Sequence, residues 1–171
     1  MIKKTKNSIL KRWARGIFKV KKAVIGLYII GGFILLSVLG PIIANDPIEF
    51  LGTPLSPPSL EFIFGTNGQG QDVFAQTVAG ARQTLFVGFT TGFLVVMMGA
   101  IIGGASGYFG GRTDDLLSFL INIFLVMPGL PLMVILASWL PPGPGTLVGV
   151  LVLTGWAWNA RVIRSQMMTY R

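Results

Sequence analysis

The sequence predicts an all-α, polytopic transmembrane helical bundle with four spans, and three observations carry that prediction. First, the chain of 171 residues is 52% hydrophobic and only 12% charged, with a mean hydropathy of +0.70. One soluble core of this size could not hide so much apolar surface, so lipid must cover the excess. Second, the charges are gathered in a few places, leaving charge-free runs of about 20 residues, the length a helix needs to cross a hydrocarbon layer of about 30 Å. Third, nine of the 14 Lys and Arg residues lie between Lys3 and Lys22, ahead of the first apolar run, where they face anionic head groups and set orientation.

The elements follow in order. Residues 1–22 form a basic cytoplasmic or interfacial arm, in which Ile9, Leu10, Trp13, Ile17 and Val20 line one side of a helix suited to anionic lipid. Residues 23–44 carry no charge and are the first span. A cleaved signal peptide would have a shorter apolar region ending in small residues, whereas Pro41, Ile42 and Ile43 precede Ala44. Residues 45–82 are an aqueous loop broken by Pro47, Pro54, Pro57, Pro58, Gly65, Gly68 and Gly70. Its last part starts at Asp72, a helix N-cap, and spaces Val73, Phe74, Val78, Ala81 and Leu85 as an amphipathic helix that leads into the next span, with Arg82 near the interface.

Residues 83–171 make up the rest of the bundle. The second span is 83–109; after the turn 110–115 comes a third, 116–140, which Pro128 and Pro131 bend. A proline- and glycine-rich turn then leads to a fourth, 146–160, short but extended by Trp156 and Trp158 at a membrane interface. Thirteen of the 14 basic residues then share one side, and only Arg82 lies on the other, beside Asp46, Glu49, Glu61 and Asp72. The positive-inside rule puts both termini and the Arg112 turn in the cytoplasm.

Composition excludes much chemistry. With no Cys and no His, disulfides, thiolate or imidazole metal sites and Ser-His or Cys-His nucleophiles are ruled out, so no catalytic, cofactor-binding or metal site is expected. The net charge of +8 does not indicate nucleic acid, because the cations cluster where membrane lipid is the partner. No predicted span contains Asp, Glu, Lys or Arg, and Asn122 is the main polar side chain at depth. Proton pumps and ion-coupled carriers need buried titratable groups, so uphill transport would have to be powered by another subunit.

Gly88, Gly92, Gly99, Gly103 and Gly107 fall within about 100° of arc on the second span. Such a stripe lets another helix approach closely, either within this chain or from a partner. In Met127-Pro128-Gly129-Leu130-Pro131 the two prolines remove backbone donors, and the bend is a candidate hinge.

Four motifs then appear in order. Residues 64–73 read F-G-T-N-G-Q-G-Q-D-V, followed by Gly80-Ala81-Arg82-Gln83-Thr84-Leu85 and Gly88; 107–114 read G-Y-F-G-G-R-T-D; Met127-Pro128-Gly129-Leu130 comes next; and 158–164 read W-N-A-R-V-I-R. The set resembles the dipeptide, oligopeptide and nickel permease family of ABC importers, in its short-outer-loop subunit type, over nearly the whole chain. The matching positions are Gly65, Thr66, Asp72, Gly80, Ala81, Arg82, Leu85, Gly107, Tyr108, Gly110, Gly111, Asp114 and Pro128, with Arg161 and Arg164 at the start of the cytoplasmic coupling region.

The resemblance implies a permease subunit that forms a peptide path with a second permease subunit, served by two cytoplasmic ATPase subunits and an extracytoplasmic substrate-binding protein, in a bacterial inner membrane. Departures from the family pattern are visible too. Asn67, Gln71 and Gln76 stand where the family commonly has Asp, Arg and Arg, which puts an outer ion-pair network in question. The family's E-A-A-x-x-x-G loop and two further spans would lie past Arg171, so the expectation is a truncated or split product, or completion by another chain. No Walker-type phosphate loop is present, and ATP hydrolysis is expected in the partners. A small tetraspan scaffold or regulatory protein, or a non-functional permease fragment, is the alternative that the glycine stripe equally permits. A channel also stays open, although no charged ring or filter-like repeat is visible.

Overall fold

The computed structural model describes residues 20–170; the arm residues Ile9, Leu10, Trp13 and Ile17 lie outside the described residues. The described chain is helical: α1 (Lys21–Ile43), α2 (Val73–Phe109), α3 (Gly111–Val126), α4 (Gly129–Trp139) and α5 (Pro144–Thr169). Among the described residues the only β pairing is an isolated bridge between Thr66 and Asp72. Among the described residues three helices, α1, α2 and α5, are long and apolar enough to cross a membrane, and the count becomes four if the bent pair α3 and α4 is one span. The all-α polytopic architecture expected from the sequence is the one observed.

The chain divides into two compact units, Met1–Arg82 and Gln83–Arg171. In the first, α1 exposes apolar side chains such as Tyr28, Ile42 and Ile43 along its length, as lipid-facing helices do. Near its end Gly40 is buried against Val78 on the first turns of α2, where a Cβ on Gly40 would stand 2.5 Å from Val78 Cγ1. The second unit is built around Ile121, Trp156, Ala157 and Ala160, with Met98, Ile102, Phe124 and Leu125 packed against them.

Several elements differ from the sequence expectation. The amphipathic segment from Asp72 and the second span are one continuous helix of 37 residues, about 55 Å long at 1.5 Å per residue, so it outruns the hydrocarbon layer. The third span is two helices meeting at 88°. Only Pro128 sits at that break. Met127 and Pro128 are both extended, because the proline ring disfavours helical backbone at the residue before it. Pro131 falls in the first turn of α4, where its missing N–H would have had no helical partner; it starts that helix rather than bending the earlier one.

The fourth span runs well past residue 160, continuing helically to Thr169. Trp156 corrects another expectation: it is 2% exposed at the centre of the core, in edge contact with Phe124 at 5.1 Å, and not at a membrane interface. Trp158, two residues on, is 64% exposed. The opposite fates follow from helical geometry, since residues two apart point about 200° away from each other.

Candidate functional site

The second unit brings α2 and α5 together along a face that only glycine allows. A Cβ on Gly99 would stand 2.7 Å from Asn159 Cβ, one on Gly103 would overlap the Ala160 carbonyl, and one on Gly107 would stand 2.6 Å from Met167 Cβ. These three glycines recur every fourth residue and let the two backbones touch. Gly88 and Gly92, earlier in the same stripe, have only open space within 4 Å of where a Cβ would stand. The stripe therefore splits into a packed half and an uncovered half.

Beside Gly107 three helices are tied at one carboxylate. Asp114, in the first turn of α3, accepts two hydrogen bonds from Arg164 of α5: Nε donates to Oδ1 at 2.6 Å and Nη2 to Oδ2 at 2.7 Å. Ser106 of α2 donates its hydroxyl to Oδ1 at 2.5 Å and Ser118 of α3 does so at 3.0 Å. Ser106 is fully buried. A bidentate, charge-assisted pair is strong and directional, and an anion in the first helical turn meets the positive end of the α3 dipole. The turn that delivers Asp114 depends on Gly110 and Gly111, at φ +63° and +52°, a backbone region open mainly to glycine. One turn before Arg164, Arg161 donates from Nη2 to Asn122 Oδ1 at 2.7 Å. Tyr108 is exposed and lies in edge contact with Phe109.

In the first unit the motif at 64–73 forms a tightly bonded loop. Gly65 and Gly70 have φ of +72° and +77°, and a Cβ on either would overlap a backbone carbonyl, that of Ser56 or of Gly52. Thr66 Oγ1 donates to the Thr53 carbonyl at 2.6 Å and accepts from the Ser56 N–H at 2.8 Å. Asp72 is 3% exposed; its Oδ1 caps α2 by accepting from Phe74 N–H at 2.8 Å, and its Oδ2 accepts from Asn45 Nδ2 at 3.1 Å. Asn67, Gln71 and Gln76 stand together as a neutral amide cluster: Asn67 Nδ2 and Gln76 Nε2 each donate to Gln71 Oε1 at 2.9 Å, and Gln71 Nε2 donates to the Ile48 carbonyl at 2.7 Å. Amides therefore occupy the place of the ion-pair network that the resemblance puts there. Gly80 and Arg82 stand at the surface of this unit's helical turns, Gly80 exposed and Arg82 exposed, while Leu85 is half-buried in the second unit.

Sequence reasoning singles out Asp114 and Arg164 separately and does not join them, and it does not single out Ser106 or Ser118. One signal is available. Asp114 and Asp115 are the acids placed among 13 cations on one side of the predicted topology, so a partner for each is to be expected there.

Long apolar helices and a glycine-mediated helix contact define a multi-pass α-helical membrane protein. Residues 96–171 match the family model described as binding-protein-dependent transport system inner membrane component. The chain is 35% identical over 158 residues to the dipeptide transport system permease protein DppC of Bacillus subtilis (strain 168), covering 91% of this chain and 49% of that protein. It is 34% identical over 152 residues to the oligopeptide transport system permease protein OppC of the same organism, covering 86% and 49%. It is also 36% identical over 107 residues to the peptidoglycan transport system permease protein YejE of Agrobacterium fabrum (strain C58 / ATCC 33970), covering 63% and 28%. The chain belongs to this permease family and spans about half the length of its first two relatives.

Proposed function

We propose that this chain forms part of the transmembrane permease subunit of an ATP-driven importer for dipeptides or oligopeptides. The observation that carries the reading is the similarity to dipeptide and oligopeptide permeases along 91% and 86% of the chain. The membrane is the bacterial inner membrane, with the arm at 1–22, the α2–α3 turn and the end of α5 on the cytoplasmic side, and the loop at 45–82 outside. ATP is hydrolysed in two separate cytoplasmic subunits. A second permease subunit completes the path and an extracytoplasmic binding protein delivers substrate.

In this reading, nucleotide-driven closure of the ATPases pushes the cytoplasmic segments, and the helices rock to open the path to one side and then the other. Arg161 and Arg164 mark the start of the coupling region, and the residues of the four motifs hold the helices that move. The absence of charge along most of the spans supports an external motor. The test is a pull-down of the tagged chain from mild detergent, with copurified proteins identified by mass spectrometry and ATPase activity assayed in the same fraction. ATPase subunits together with a second permease are the expected result; a homogeneous chain without ATPase activity refutes it and favours a scaffold or an inactive fragment.

A further inference from the structure

We infer that Asp114 is a positioning residue that locks the α2–α3 turn to α5, so that the end of α5 and the inner ends of α2 and α3 move as one body during transport. The inference rests on the permease reading, which gives such a movement its purpose.

In lipid no hydrophobic drive holds helices together, so close packing and directional polar bonds decide which segments travel together. The segment of α5 around Arg164 touches two other helices at once. The Arg164 carbonyl and Met167 Cβ lie 3.0 and 2.6 Å from the position of a Cβ on Gly107 of α2, while the Arg164 guanidinium grips both oxygens of Asp114 on α3. Ser106 then ties the same carboxylate back to α2, and Ser118 fixes it within α3. Asp114 thus collects four hydrogen bonds from three helices. Nearer the core, α5 meets α2 at Gly99 and Gly103 and its other neighbours through apolar packing and, among the described residues, the Arg161–Asn122 bond; none of these is a bidentate ion pair, the strongest and most directional tie of the set. A push on the end of α5 would therefore pass to the α2–α3 turn through Asp114.

The experiment compares wild type, Asp114→Asn and Asp114→Glu in proteoliposomes, using the complex as it copurifies, a radiolabelled dipeptide as probe, and ATP hydrolysis measured in parallel. The expected result for Asp114→Asn is a loss of uptake of about tenfold, within the range that residues along a coupling network exert, while hydrolysis per assembled complex stays within about twofold. Asp114→Glu keeps the charge and recovers most of the uptake. If uptake and hydrolysis fall together in proportion to assembled complex, or if neither changes, Asp114 has no positioning role and the inference is overturned. Should Asp114→Asn not assemble, Ser106→Ala and Ser118→Ala each remove one donor from the same carboxylate; a raised ATP cost per dipeptide is expected, and an unchanged ratio overturns the inference. Wild-type complex without ATP-driven uptake overturns the permease reading and this inference with it, whereas an active wild type with an unaffected Asp114→Asn overturns this inference alone.

Discussion

Two neighbouring glycines on α2 offer a direct test of the helix contact. Gly103 is buried, and a Cβ there would overlap the Ala160 carbonyl of α5; Gly104 has nothing within 4 Å of the same position. Both residues lie well inside the helix, so replacing either by Ala brings the same gain in helix propensity, about 0.5–1 kcal/mol. At Gly104 nothing opposes it, and Gly104→Ala should be neutral or slightly stabilising. At Gly103 the methyl meets backbone, which cannot swing aside as a side chain can, and the two helices must separate. Forcing an extra methyl into a packed contact costs typically about 1–3 kcal/mol, and separation also loosens Ala160 and Trp156 in the core. The difference between the variants should therefore lie near 1–3 kcal/mol, or roughly 2–12 °C in unfolding temperature at about 2–4 °C per kcal/mol for a chain of this size. Intrinsic fluorescence during a thermal ramp in mild detergent reads the transition, because buried Trp156 becomes exposed as the unit opens. Equal unfolding temperatures for the two variants would refute the backbone contact at Gly103.

Further outcomes follow from the same structure. Trp156→Ala should cost about 3–5 kcal/mol by emptying the core, whereas Trp158→Ala should stay within about 0.5 kcal/mol; thermal unfolding in detergent distinguishes them. Asp72→Ala removes the α2 cap and leaves Asn45 Nδ2 without its acceptor, so a loss of about 1–2 kcal/mol is expected, with faster hydrogen exchange at residues 73–76 as the specific sign. Pro128→Ala relieves the restriction on Met127 and should open the 88° angle between α3 and α4, whereas Pro131→Ala should leave it unchanged; distances between spin labels on the two helices report this in a chain that has no native Cys.

The helices are legible in the sequence because lipid imposes a length and a charge rule on any segment that crosses it. The α1 run expected at 23–44 appears as Lys21–Ile43, since both its ends are marked by chemistry, Lys on one side and Asn45-Asp46-Pro47 on the other. The end of α5 is not legible in the same way. Arg161 and Arg164 resemble the close of a span, but a helix can carry cations past the hydrocarbon as long as they find partners, and Asn122 and Asp114 supply them. Periodicity puts Trp156 and Trp158 on opposite faces but does not say which face is the core, because an aromatic ring suits both a core and an interface; contact with Phe124 decides between them. The glycine stripe is a similar case. Spacing places five glycines on one face, and only the position of α5 separates Gly99, Gly103 and Gly107 from Gly88 and Gly92.

Each compact unit has a carboxylate placed where the chain enters a helix. In the first, Asp72 caps α2 and holds Asn45 just past α1; in the second, Asp114 opens α3 and holds Arg164 near the end of α5. A carboxylate in a first helical turn is stabilised by unpaired N–H groups and the helix dipole, so it can be partly buried at small cost and still have an oxygen free for a second helix. The partners differ in kind. Asp72 takes a neutral amide and sits beside the Asn67, Gln71 and Gln76 cluster, so breaking its bond to Asn45 separates no ion pair. Asp114 takes a guanidinium, and separating that pair would leave two half-buried charges without each other. The first is a tie between a carboxylate and neutral donors, the second an ion pair, and it is the second that stands where the proposed motor would push.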